Sequence, residues 1–303
     1  MKRIAEFTIR HSKLLLENKQ HAILCAAFLS ILPFASWLSV ALVALVTLRK
    51  GAKIGFEVMV PALVVHSVPL MIIVPMDSVL INTLLAYIPC YIAAVILRQT
   101  TRWEAVFGVI FLLSLFGSFL IQLLAPDCVV DQLSQFKAIL AQYKEYKQVI
   151  DSSMDGLNTF IIAQLFFGVQ ILSVLVSACI SLMFARSIQA KLFIPGGFQE
   201  ELLAFRSGRM SFLVLIGISL ASYYEISIAI NLLPLVLTYF LASGFSLAYF
   251  ILARKRQVKV FILLLLLILF KPTFVLFAYI VFGSLDSLFN FRIYLPARVR
   301  KST

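Results

Sequence analysis

The residues of this chain that could do chemistry are few, and most of them sit inside long apolar runs. Glu57, His66, Gln164, Gln170 and Lys271 are the strongest candidates. Lipid cannot satisfy a hydrogen-bonding group, and a charged one at membrane depth costs about 2.5–3.5 kcal/mol on insertion scales. These five side chains are therefore expected to face an interior or water, and to line any internal ligand site. Glu57 and Lys271 are the best candidates for a charge pair, since an unpaired buried ion drifts toward its neutral form. The competing reading pairs Glu57 with Lys53 at helical i, i+4 spacing in the interface. Glu57 and His66 are nine positions apart, nearly opposite faces of a straight helix, although Pro61 between them can bend it. Gln164 and Gln170, like Asn82 and Gln122 near segment ends, carry amides that join neighbouring helices or bind a ligand. Lys271 precedes Pro272, which would set a cation beside freed backbone carbonyls, or mark a hairpin tip from which the lysine snorkels.

Catalytic chemistry has little material. Neither an HExxH metal helix, a GxSxG nucleophile turn nor a GxxxxGK[ST] phosphate loop occurs in the sequence. Of His11, His21 and His66, only His66 lies within an apolar segment, and Asp77 and Asp127 stand apart at loop edges. Cys25, Cys90 and Cys179 are in apolar runs and Cys128 in a loop, with no CxxC or Cys/His spacing for a metal. No catalytic residue, metal site or cofactor is expected, and the chain is not expected to be an enzyme.

The elements that carry these residues are apolar segments at 22–48, 54–76, 78–97, 105–125, 157–185, 210–224, 226–253 and 260–283. At 62% hydrophobic and 13% charged residues, the composition excludes a soluble domain. About 20 apolar residues span a bilayer core. The fold class expected is therefore all-α, a polytopic transmembrane helical bundle of about eight membrane segments. Its net charge of +12 is not a nucleic-acid signal, because the basic residues flank the apolar runs. Loops 98–102, 186–209 and 254–259 hold ten Lys/Arg, whereas the opposite side holds Lys137, Lys144 and Lys147. The positive-inside rule puts the first set in the cytoplasm. If the first and last segments are broken or hairpin-like at Pro33 and Pro272, the distribution becomes twenty-two inside against three outside, and both termini are cytoplasmic. The organisation expected is a basic N-terminus at 1–20, retained and not a signal peptide, a single transmembrane domain at 21–291, and a basic tail at 292–303.

Two loops have helical patterns of their own. From 131 to 151, Leu133, Phe136, Leu140 and Tyr143 recur at three- and four-residue intervals, the pattern of an amphipathic helix on the outer surface or of a linker packed on the bundle. In the cytoplasmic loop, Pro195, Gly196 and Gly197 signal a turn, and acids followed by Arg206 and Arg209 predict a short helix over 197–207. Tyr223, Tyr224 and Glu225 mark a tight outer turn at headgroup level.

Three stretches carry a family resemblance. The run Ala44 to Gly51 with Gly55, the segment Pro195 to Phe198 with Glu201, and the ending Leu285 to Arg292 resemble motifs of the YybS-like predicted bacterial membrane proteins. Asn290 stands where that family often carries Asp. The family has no established activity, and is remotely similar to the substrate-binding components of energy-coupling-factor transporters. The resemblance implies a helical inner-membrane protein that binds an unknown small molecule and leans on a partner subunit, met through the loop from Arg186 to Arg209. A small-molecule transporter or its binding subunit is the expected function, and a non-catalytic interaction or assembly factor the alternative. The lipid bilayer is the expected partner, and nucleic acid is not.

Overall fold

A computed structural model describes residues 17–32, 35–73, 76–125, 127–142, 158–252 and 257–294. Thirteen helices run through them, with no strand among the described residues: α1 (Lys19–Ile31), α2 (Ser36–Lys50), α3 (Ala52–Ile73), α4 (Met76–Thr100), α5 (Trp103–Leu124), α6 (Asp127–Ala141), α7 (Thr159–Phe193), α8 (Gly197–Ala204), α9 (Arg209–Tyr223), α10 (Ser227–Leu252), α11 (Gln257–Phe270), α12 (Pro272–Phe289) and α13 (Phe291–Tyr294). Six of them, α3, α4, α5, α7, α10 and α12, are long and apolar enough to cross a membrane. The protein is an integral, multi-pass helical membrane protein. The helix pair α8 and α9 reaches the same length and hydropathy only when taken together across a 54° bend.

Six is fewer than the eight apolar segments of the sequence because the first is divided between α1 and α2, each under 18 residues, and the segment at 210–224 is α9, only 15 residues long. The last is divided as well, but its second part, α12, is long enough to count. α1 ends at Ile31 and α2 begins at Ser36, with Pro33 outside the described residues. In the last segment Lys271 is the N-cap of α12 and Pro272 its first residue, the helical position where proline's missing N–H matters least. Of the expected 131–151 helix, α6 covers the first part from four residues earlier, and residues 143–151 lie outside the described set, as do 1–16, 253–256 and 295–303.

The helices group into two compact units, one of residues 1–110 and 173–201 and one of 111–172 and 202–303. In the first, α2 is the most enclosed element, with Ser39 to Leu48 buried without interruption against α1, α3 and α4. Gly55 lets α3 lie on α2, for a Cβ there would stand 2.0 Å from Thr47 Oγ1. Gly51 ends α2 with φ +106°, a conformation open to glycine. Arg98 Nη1 then donates to the last-turn carbonyls of Thr47 and Leu48, at 3.2 and 3.4 Å. A cation from α4 thereby satisfies the negative end of α2. Glu201 closes the same unit. It receives both Arg186 Nε, 3.1 Å from each carboxylate oxygen, and the indole N–H of Trp103 at 3.1 Å.

In the second unit α10 and α12 cross at glycines. A Cβ on Gly244 would meet the Tyr279 carbonyl at 1.8 Å, and one on Gly283 the Phe240 carbonyl at 2.1 Å. Small residues at a crossing let two backbones approach, which is how membrane helices gain packing without a hydrophobic force between them. α6 packs its Val129 and Leu133 on Ala163 and Phe167 of α7, with Phe136 and Phe166 rings 4.8 Å apart. Asn290 ends α12 in the left-handed region at φ 49°, its N–H donating to the Asp286 carbonyl at 3.0 Å.

Candidate functional site

Four helices of the first unit line a partly open cavity of about 300 Å³, formed by Ser36 and Trp37 of α2, His66 of α3, Asn82 and Tyr87 of α4, and Ser173 and Ser177 of α7, with Val40, Leu85, Ala86 and Val174 between them. At about 1.5 Å rise per residue, Ser36 lies roughly 20 Å along α2 from Arg49, and His66 a similar distance along α3 from Lys53. Those lining residues therefore lie about four turns along their helices from the nearest basic residues.

Each side chain is placed by a local feature of its helix. α2 begins at Ser36, within the apolar segment 22–48 of the sequence. Its N-cap, Ala35, offers the first-turn N–H groups no side-chain acceptor, and the N–H of Leu38 bonds to the Ala35 carbonyl at 2.9 Å. Ser181, one turn beyond Ser177 on α7, donates to the Trp37 carbonyl at 3.3 Å and ties α7 to this helix start. Tyr87 is buried with its hydroxyl donating to Ser39 Oγ at 2.9 Å, and Ser39 donates in turn to the Ala26 carbonyl at 2.7 Å. That chain fixes the phenol ring against which His66 packs edge-on, ring centres 5.6 Å apart. His66 Nδ1 is 3.1 Å from the Ser30 carbonyl near the end of α1. A carbonyl only accepts, so the Nδ1 proton is the donor, and in the neutral form of such a ring Nε2 carries the lone pair.

Asn82, Ser173 and Ser177 are exposed although they belong to membrane-length helices. Asn82 and Ser177 make no hydrogen bond to another described residue. Polar groups at such depth cannot be left to lipid, and here they converge on one cavity. Among the described residues no carboxylate, ammonium or guanidinium group lines it, and no cluster of His, Cys, Asp and Glu is placed to hold a metal ion. No protein-family model, curated protein or solved structure matches the chain.

Of the five residues expected to form a site, only His66 reaches this cavity. Glu57 forms its ion pair with Lys19 at the start of α1, with side chains 34% and 47% exposed, and not with Lys271. Lys271 is exposed at the start of α12. Gln164 is buried and its Oε1 accepts from Gln122 Nε2 at 3.3 Å, which makes it a helix-joining amide. Gln170 lies half-buried on α7 in the second unit. Sequence reasoning passed over Ser36, Tyr87, Ser173 and Ser177. The one signal for them was the serine spacing at 173, 177 and 181, which sets hydroxyls on one face of an otherwise apolar helix.

The second unit holds a different polar centre. Asp286 is fully buried, with Arg292 Nε 3.2 Å from Oδ2 and the Phe291 N–H 3.0 Å from Oδ1. Arg292 also donates to the carbonyls of Leu203 and Phe205, the latter at 2.7 Å, while Arg206 donates to the Asp286 and Ser287 carbonyls at 3.0 and 2.9 Å. Burial draws the Arg292 pKa below the usual arginine value, and the Asp286 charge opposes that shift. Every acceptor is spoken for, so the centre fastens the 203–207 segment to α12 and α13 and offers no open valence for a ligand.

Proposed function

We propose that this chain is a small-molecule transporter, or the substrate-binding subunit of one, in a bacterial inner membrane. The observation that carries the reading is the convergence of polar side chains from four helices on one cavity in the apolar layer. Its volume is at the lower end of the range of ligand pockets, about 300–1,000 Å³. A helix that begins within an apolar segment, with no side-chain cap at its N-terminus beside the cavity, is also how many secondary transporters bring backbone donors to a substrate. The YybS-like resemblance points in the same direction.

The topology proposed with it puts both termini in the cytoplasm, with the first and last apolar segments folded as hairpins about Pro33 and Pro272. In support, Lys50 Nζ at the end of α2 is 3.4 Å from the Glu17 carbonyl just before α1, so those two helix ends lie together. Tyr279 of α12 donates to the Leu264 carbonyl of α11 at 3.3 Å, joining the two arms on either side of Lys271. A partner subunit would meet the segment from Arg186 to Arg209, where Lys191, Phe193, Ile194 and Glu200 are exposed.

The test is a thermal-shift screen of the purified protein against a metabolite panel, repeated with His66→Phe and Asn82→Leu. A ligand that stabilises the wild type and loses its effect in both variants supports the proposal. Absence of a shift with every compound removes the transporter reading in favour of the assembly factor.

A further inference from the structure

We infer that the cavity of the first unit takes an uncharged ligand that presents an N–H or O–H group to His66 Nε2. The inference rests on the cavity being a ligand site and adds the class of molecule that fits it. Three observations carry it. The described lining holds no charged side chain that would neutralise a cation or a strong anion. The described elements around His66 also bring no carboxylate to it: its hydrogen-bond partner is the Ser30 carbonyl and its ring neighbour is Tyr87. A charged ligand would surrender its hydration for hydroxyl and amide dipoles alone, a loss of about a hundredfold in affinity or more.

The tautomer supplies the second half. Because the Ser30 carbonyl selects the tautomer with its proton on Nδ1, Nε2 is the acceptor of the neutral ring. A ligand without a donor leaves that lone pair desolvated and unmatched, at a loss of about tenfold to a hundredfold. Asn82, Ser36 and Ser177 each can donate or accept, so they adapt to the remaining polar groups. The rings of Trp37 and Tyr87 with Leu85, Ala86 and Val174 supply apolar wall on which a flat apolar portion can rest. The class is therefore a neutral, compact, amphiphilic molecule with a planar part and a hydrogen-bond donor.

The experiment uses the full-length protein in detergent at pH 8, with affinity read from the concentration dependence of the thermal shift. Benzamide, benzoate and benzylamine form one series of neutral, anionic and cationic probes, and indole, indole-3-acetate and tryptamine another. N,N-dimethylbenzamide and 1-methylindole remove the donor. Benzamide and indole are expected to bind about a hundredfold more tightly than their charged relatives, and about tenfold or more above their methylated ones. In His66→Phe, which keeps a ring against Tyr87 but has no acceptor, the preference over the methylated probes should disappear while the preference over charged probes remains. Charged probes that bind as well as neutral ones overturn the ligand class and leave the site standing. Equal binding of methylated and parent probes to the wild type overturns the role of Nε2, whether or not the variant folds. If no probe shifts the protein, or if Asn82→Leu and His66→Phe leave every affinity unchanged, the site itself falls.

Discussion

At the scale of single residues, two kinds of ionic group behave oppositely. Asp286 has no solvent exposure and a full set of partners, so removing it leaves the largely buried Arg292 guanidinium without a counter-charge, held by neutral carbonyl and hydroxyl groups alone. Breaking a buried pair in this way costs about 3–5 kcal/mol. Asp286→Ala is therefore expected to lower the melting temperature by several degrees or abolish folding, and Asp286→Leu combined with Arg292→Met should recover part of the loss. A double variant no better than Asp286→Ala would show that the charges do not act as a pair. Glu57 is the contrast. Its partner Lys19 is half-exposed, and solvent screens such pairs strongly. Glu57→Gln and Lys271→Met should melt within the scatter of the wild type and bind the same ligands. A loss of ligand response in either variant would restore these residues to the site.

At the scale of elements, close helix crossings decide which small residues can be enlarged. Gly244→Ala and Gly283→Ala each drive a methyl into a backbone carbonyl of the opposite helix, where no side chain can swing aside. Overpacking of this kind costs about 1–3 kcal/mol. Both variants should melt below the wild type. Gly217 on α9 has open space where a Cβ would go, and Gly217→Ala should be neutral or stabilise by up to about 1 kcal/mol through helix propensity. The reverse order in thermal denaturation would place the tight crossing elsewhere. The motif positions of the family resemblance have a shared physical sense at this scale. Gly51, Gly55, Glu201, Asp286, Asn290 and Arg292 are helix ends, close approaches and ties, and none of them lines the cavity.

At the scale of the whole molecule, the proposed hairpins fix where the chain ends lie. Glu17 beside Lys50 and Arg292 beside the Leu203 and Phe205 carbonyls put each end of the described chain next to a segment that the charge distribution assigns to the cytoplasm. A single cysteine in a tag after Thr303, in a background lacking Cys25, Cys90, Cys128 and Cys179, should stay unlabelled by an impermeant maleimide in intact cells and react after permeabilisation. Labelling of intact cells would make the last segment a simple crossing.

The amino-acid sequence by itself determined that this is a helical membrane protein, and that its basic residues bracket the helices. Transfer of an apolar run into lipid depends on that run alone, so hydropathy and loop charge are readable one segment at a time. The short helix after Gly196 was equally legible, because turn residues and end charges act within a few positions. The site was not. His66 was visible as a polar group at depth, but its neighbours Ser36, Tyr87, Asn82 and Ser177 come from 36 to 177 in the chain, and only packing brings them together. Spacing offered Glu57 to Lys53, whereas the fold gave it to Lys19, because α1 lies along α3 and delivers a lysine from thirty-eight positions away. Which polar residue meets a partner and which meets a cavity is a property of helix faces in contact, and tertiary structure alone sets those.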